Sequence, residues 1–255
     1  TRSGEETLAK WLSAAAGPPE IRSRQAAIEE LRNRLDLRED VAVLGQDVRA
    51  IVSPTALSDW AEGPGAFRSR APLWLARGLA AAAVISATAW ATTPFPAFPF
   101  FVVVLVEILV ARVLRGAVAD ATHAVEAHLN HLRLIASVLE RIEEESVTAP
   151  LLRDLREAIR AEGVSAPEAV RSLQKAIEWM DASNNQLFAP VAFALQWKIQ
   201  WAYVLDGWRK RHGHRVAGWL DALGTWEAPP SLAGYAYERP NDPFPDIVDG
   251  GATYD

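Results

Sequence analysis

The sequence predicts an all-α chain, an elongated multi-helix body organised around one long apolar helical hairpin. Three observations predict it. No segment sustains the alternation of apolar and polar residues that a half-buried strand needs, whereas apolar positions recur at gaps of three and four along most of the chain. Two strongly apolar runs lie between Ala71 and Gly116, separated by the turn-like Thr92-Thr-Pro-Phe-Pro-Ala-Phe-Pro99. The residues after them, Val118, Ala121, Val125, Leu129, Leu132, Ile135, Leu139 and Ile142, form a seam averaging close to 3.5, as on a coiled-coil rod.

In order, Glu5 to Ala15 reads as a short helix with Leu8, Trp11 and Leu12 on one face, broken by Gly17-Pro18-Pro19. A second helix follows from Pro19 to Leu35, with Ile21, Ile28, Leu31 and Leu35 inward. Asp36 and Glu39 have capping-box spacing for a third, to Val52, and Ser53-Pro54 opens a fourth through Trp60. Gly63-Pro64-Gly65 is a linker into the hairpin. The rod continues out of the second arm to the acidic stop at Glu143 to Glu145. A helix from Leu151 to Ala161 stops at Gly163, and Ser165 with Glu168 is a capping box for a helix carrying Val170, Leu173, Ile177 and Met180. Pro190 begins a helix to His212 with Phe193, Trp197, Trp201, Leu205 and Trp208 in a stripe that reads as core or interface. A helix from Arg215 to Trp226 leads into Pro229-Pro230, Ser231 to Glu238 forms a last turn or two, and the tail from Pro240 is loop with one short strand.

The hairpin fits a bilayer. Its first run is apolar all round, and a helix of that kind is buried in protein or lies in lipid. Arg68, Arg70 and Arg77 stand at its head, Arg112 and Arg115 close the second run, and the turn carries no charge, so the positive-inside rule places both ends in the cytoplasm. Trp74 and Trp90 lie where interfacial aromatics belong. Against this stand Arg77 and Glu107 within the runs, and Pro96 and Pro99 interrupting the second. Glu107 in lipid must face the partner helix, paired with Arg77 or Arg112, or be protonated. The other reading is a hairpin buried in a soluble core or an oligomer interface.

A net charge of -6 argues against a chain wholly devoted to nucleic acid, and the absence of cysteine excludes disulfides, thiolate metal sites and a cysteine nucleophile. No phosphate-binding glycine loop is present. His128 and His131, with His123 behind them, lack a partner Glu/His motif and read as a solvated face rather than a metal site. Asp206 and Asp221 have no evident base or nucleophile beside them, so no catalytic, cofactor or metal residues are assigned. Arg209, Lys210, Arg211 and Arg215 cluster where a helix is expected to end. Either they complement the helix dipole or they contact phosphate, from DNA or from lipid headgroups.

Two stretches carry a family resemblance. Thr1-x-x-Gly4, Leu8-x-x-Trp11-Leu12 and Ile21-Arg-x-Arg-Gln25-x-x-Ile28-Glu-Glu-Leu31 resemble the start of the core, or lever, domain of the MutS family of DNA mismatch repair ATPases. Leu220-Asp-Ala-Leu, Ser231-Leu-Ala-x-Tyr-Ala236 and Pro243-x-Pro245 are similar to that family's passage out of the core towards its ATPase domain. The apolar hairpin stands where the family inserts a soluble DNA clamp, and the mismatch-reading domain and its Phe-x-Glu motif have no counterpart here. The resemblance implies four parts: residues 1–65 as the first part of the core, 66–116 as the hairpin, 117–239 as lever and returning core, and 240–255 as a linker towards an ATPase domain. It implies a piece of a longer protein, itself not an enzyme, whose parent is an ATPase using ATP and Mg, dimeric through that domain. The partners expected are that ATPase domain, DNA and membrane lipid. The location expected is a cytoplasmic body anchored in the inner membrane. The competing expectation is a membrane-anchored helical scaffold for another protein that no longer binds mismatched DNA.

Overall fold

A computed structural model describes residues 1–160 and 163–247. Among them there is no strand. Ten α-helices follow in order: α1 (Arg2–Ser13), α2 (Pro18–Arg32), α3 (Leu35–Ile51), α4 (Pro54–Glu62), α5 (Ala71–Thr92), α6 (Phe98–Glu144), α7 (Pro150–Ile159), α8 (Ala166–Asp181), α9 (Ala189–Ala194) and α10 (Trp197–Glu238). A 3-10 turn, Ala182–Asn184, lies between α8 and α9. The end of the helix expected to reach Ala161, and the tail beyond residue 247, lie outside the described residues; 239–247 carry no strand.

The chain divides into two compact units. The first comprises Thr1–Ser58, His131–Val170 and Arg215–Asp255, the second Asp59–Asn130 and Arg171–His214. In the first unit α2 packs on α3 and α7. Its core is aliphatic around two tryptophans: Leu31, Leu57, Leu139, Ile142, Leu152, Trp219 and Trp226 are all fully buried. The second unit buries Leu173, Leu205 and Trp208, and a cluster of Phe67, Ala121 and Ala202 with Val118 and Tyr203 packed against it.

The first unit is tied by contacts distant in sequence. Thr1 caps α1, its hydroxyl accepting from the Gly4 amide at 3.2 Å. The Thr1 nitrogen and hydroxyl also donate to Glu227 on α10, at 2.7 and 2.5 Å. Gly4 is required there, because a Cβ would lie 2.1 Å from the Glu227 carboxylate. Glu30 on α2 caps α7 across 118 residues of chain: its carboxylate accepts from the Thr148 amide (2.9 Å), the Ala149 amide (2.5 Å) and the Thr148 hydroxyl (3.1 Å). Arg34 pairs with Glu30 at 2.9 Å and Glu145 at 2.8 Å, and Arg141 pairs with Glu145 at 3.0 Å and Asp40 at 2.8 Å.

Several boundaries differ from those expected. α3 starts at Leu35 after Arg34, with no side-chain cap, so the Asp36–Glu39 box is not formed. At Ser165 the box is formed: its hydroxyl accepts from the Glu168 amide at 3.4 Å, and its own amide donates to the Glu168 carboxylate at 3.3 Å. The helix expected from Pro190 to His212 is two. Gln196 takes φ 49°, a left-handed conformation that ends α9 after six residues, and α10 starts at Trp197. No break follows at His212. Gly213 is buried in the continuing helix, where a Cβ would meet the Ala61 carbonyl oxygen of α4 at 2.1 Å, so this glycine permits close helix packing rather than ending a helix. α10 also runs through Pro229 and Pro230, each of which removes one backbone donor.

Candidate functional site

The second unit holds the hairpin. α5 has no polar stripe, and 22 residues at about 1.5 Å each give roughly 33 Å, enough for a hydrocarbon core of about 30 Å. Among the described residues it is the one helix long and apolar enough to cross a membrane, and only 17% of its most apolar window is buried. A core helix of a soluble protein shows the reverse. Its buried positions are the small residues Ala76, Ala80 and Ala83, while Trp74, Leu75, Val84, Ile85 and Trp90 are exposed. Small residues inward and large apolar residues outward is how helices pack in lipid.

The second arm differs from the first. α6 starts at Phe98 with Pro99 in its first turn, where a missing amide donor costs nothing, so neither Pro96 nor Pro99 interrupts it. Its apolar stretch ends sooner than a full span because Glu107, Arg112 and Arg115 fall within its first eighteen residues. Phe101, Val102, Leu105, Leu109 and Val113 are nonetheless exposed. Trp90 stacks near Phe100, ring centroids 6.0 Å apart, which closes the hairpin at its uncharged turn.

The expected partner of Glu107 is absent. The residue is fully buried and neither carboxylate oxygen has a hydrogen-bond partner. Arg77 instead lies over its neighbour Trp74, 5.3 Å from the ring centre, and Arg112 is exposed. Sequence proximity suggested a pair that helix rotation does not bring together.

The basic cluster divides between the units and is largely engaged within them. Arg215 is 7% exposed in the first unit; it donates to the Val164 carbonyl at 2.6 Å and lies over Trp219. In the second unit Arg209 packs over Trp60, which also stacks in parallel on His128, centroids 4.5 Å apart. His128 is therefore a packing residue and not part of a solvated face. Burial lowers the Arg209 pKa, with Asp206 opposing. Lys210 pairs with Asp206 at 2.6 Å and donates to the Phe67 carbonyl at 2.7 Å. Arg211 is exposed, its Nε donating to the Gly207 carbonyl at 3.2 Å. Because α10 continues, none of the four sits at a helix C-terminus, and the dipole explanation falls. Among the described residues no group of three metal-ligating side chains converges.

Sequence reasoning missed the role of Asp206. It is 4% exposed and accepts from the Ala66 amide at 2.7 Å as well as from Lys210. Together with Tyr203, whose hydroxyl donates to the Ser69 carbonyl at 2.8 Å, it fastens the linker that feeds α5. The spacing of Asp206 and Lys210, four apart on a helix, was the available signal.

The first unit clasps the segment that follows α10. Arg22 donates to the Ile247 carbonyl at 2.7 Å and Gln25 to the Pro245 carbonyl at 3.0 Å. No family model, curated protein or solved structure matches this chain.

Proposed function

We propose that this chain is a membrane-anchored, non-catalytic helical module, the core and lever of a MutS-like ATPase, in which the hairpin takes the place of the DNA clamp. The observation that carries the reading is the exposure pattern of α5, with Ala76, Ala80 and Ala83 inward and tryptophan, leucine, isoleucine and valine outward, beside an α6 arm that exposes phenylalanine, valine and leucine. In water that surface is a liability, and in lipid it is the expected one. Arg68, Arg70, Arg112 and Arg115 set the basic ends on the cytoplasmic side. In the parent protein an ATPase domain would follow, binding ATP and Mg and forming the dimer, and the lever would couple it to membrane or DNA.

The clasp supports the family part of this reading. Gln25 belongs to one of the resembling stretches and Pro245 to the other, and the two are hydrogen-bonded, while Arg22 of the first stretch donates to Ile247, just beyond the second.

The scaffold reading is favoured by one specific observation. Arg209 packs on the Trp60 ring, Lys210 donates to Asp206 and Phe67, and Arg215 donates to Val164, which leaves little of the cluster for phosphate. The test is carbonate extraction of membranes carrying the full-length parent, with and without residues 71–116, followed by DNA titration at rising salt. Carbonate-resistant association lost on deletion supports the anchor, and a soluble parent refutes it. DNA binding that weakens steeply with salt, together with ATP hydrolysis, favours the lever over the scaffold.

A further inference from the structure

The run from Ala182 to Trp197 holds no charged residue. It forms the 3-10 turn and α9 of the second unit, and its large apolar side chains lie outside that unit's core. Leu187 is 91% exposed, and Val191 and Phe193 are exposed beside it, as is Trp179 at the end of α8. This is more than scattered surface apolarity, because Trp179, Trp197 and Trp201 form one aromatic group. Trp179 is parallel to Trp201 at 6.2 Å, and the Trp197 indole donates to the Trp179 carbonyl at 2.6 Å. α9 packs against α5, the helix long enough to span a bilayer. The Tyr203 bond to Ser69 sets the start of α10 beside the basic end of the same helix. Lys198 and Arg115 border one cleft there, of about 380 Å³, with Glu126 and Asp181.

Resting on the anchoring reading, we propose that Trp179 to Trp197 is a membrane-interfacial collar, lying in the headgroup–acyl boundary of the leaflet at the basic end of the hairpin. Leu187, Val191 and Phe193 enter the lipid, the tryptophans sit at headgroup level, and Lys198, Arg112 and Arg115 meet anionic headgroups. Tryptophan concentrates at that depth because its ring is apolar and its N–H is not. The occupant is lipid rather than protein because the segment lies against α5, whose outward side chains already require a hydrocarbon environment. A helix of six residues also offers too small a face for a stable protein interface. The collar fixes the depth and tilt of the hairpin, which apolar length alone leaves free.

The chain has no cysteine, so single introduced cysteines report without background. The full chain is reconstituted in phosphatidylcholine vesicles containing phosphatidylglycerol, with a nitroxide at Leu187→Cys, Val191→Cys, Leu105→Cys on the hairpin, or Val43→Cys on α3. Collision with oxygen and with a water-soluble nickel chelate is then measured. The collar predicts that positions 187 and 191 are several-fold less accessible to nickel than position 43, with oxygen accessibility between those of 43 and 105. Nickel access at 187 and 191 equal to that at 43, with 105 still in lipid, overturns the collar and leaves the anchor. Nickel access at 105 overturns the anchor and the collar with it. Spin–spin broadening between copies labelled at 187 identifies a protein interface instead and overturns the lipid assignment.

Discussion

Glu30 is the most economical place to test the packing of the first unit. Its carboxylate caps α7 from another helix, accepting from two amides and a hydroxyl and pairing with Arg34. Burial alone would raise its pKa, but the Ala149 and Thr148 amides, the Thr148 hydroxyl and Arg34 outweigh it, and the net direction is down. A capping side chain contributes about 1 kcal/mol and hydrogen bonds to a charged acceptor about 1.5–3. Glu30→Gln keeps one acceptor oxygen and the shape, so the expected loss is about 2 kcal/mol. The assay is amide hydrogen exchange of Leu152 to Ile159, compared between the two chains at the same pH so that intrinsic exchange chemistry cancels. A loss of about 2 kcal/mol accelerates opening of α7 roughly 30-fold, at 1.4 kcal/mol per decade. The pH dependence has a definite sign. A carboxylate with a lowered folded pKa stabilises above its unfolded pKa, and that contribution disappears as pH falls through the folded value. The two chains therefore differ fully at neutral pH and converge in acid, below the usual carboxylate range. A difference under 0.5 kcal/mol at neutral pH, or one that persists unchanged into strong acid, would refute the trans-capping argument.

Ile85→Arg on the outward face of α5 should cost about 2.5–3.5 kcal/mol of membrane insertion, seen as loss of carbonate-resistant protein, while Val43→Arg leaves the distribution unchanged. Gly213→Ala should destabilise by about 1–3 kcal/mol because the new methyl meets the Ala61 carbonyl, whereas Gly218→Ala, with open space around it, should stabilise by about 0.5–1 kcal/mol; thermal melts in one detergent compare them. Asp206→Ala strands the Ala66 amide, and trypsin cutting at Arg68 and Arg70 should speed up by at least tenfold, since losing a hydrogen bond to a charged acceptor costs about 1.5–3 kcal/mol. An unchanged cutting rate would show that the linker is held by other contacts. Glu107→Leu removes two unsatisfied buried oxygens and should raise the melting temperature rather than lower it.

What could be read from the sequence was what depends on local periodicity. The seam at 3.5 spacing carried the continuity of the hairpin's second arm into the rod, and α6 is that single helix. Ser165 and Glu168 announced their own cap because both partners lie within one turn. The misreadings share one cause: residues whose meaning depends on a distant partner. The helix expected to end at His212 continues, and Gly213, which follows it, has as its neighbour a carbonyl on α4. Gln196 carries no local signal for a left-handed φ. Asp36 and Glu39 had capping spacing, yet α3 begins one residue before Asp36. Glu30, Arg22 and Gln25 were visible as polar helix residues, but the backbone groups they serve lie over a hundred positions away. The hairpin's outward apolarity was legible from composition, and the rotation that isolates Glu107 from Arg77 and Arg112 was not.

The proline pair in α10 has a mechanical consequence. An α-helix resists bending because each peptide hydrogen bond ties one turn to the next. Pro229 and Pro230 delete two consecutive ties, those that would close on the carbonyls of Thr225 and Trp226. The deletion falls beside Trp226, which is fully buried and fixes the shaft on one side of it. Beyond it lie two turns up to Glu238, with Ala233 fully buried, and the segment that Arg22 and Gln25 hold. The stiffness of α10 thus drops at one point, between two held lengths of chain, as in a flexure cut into a beam. Bending strain that reaches this stretch therefore concentrates at the two prolines rather than spreading along the helix.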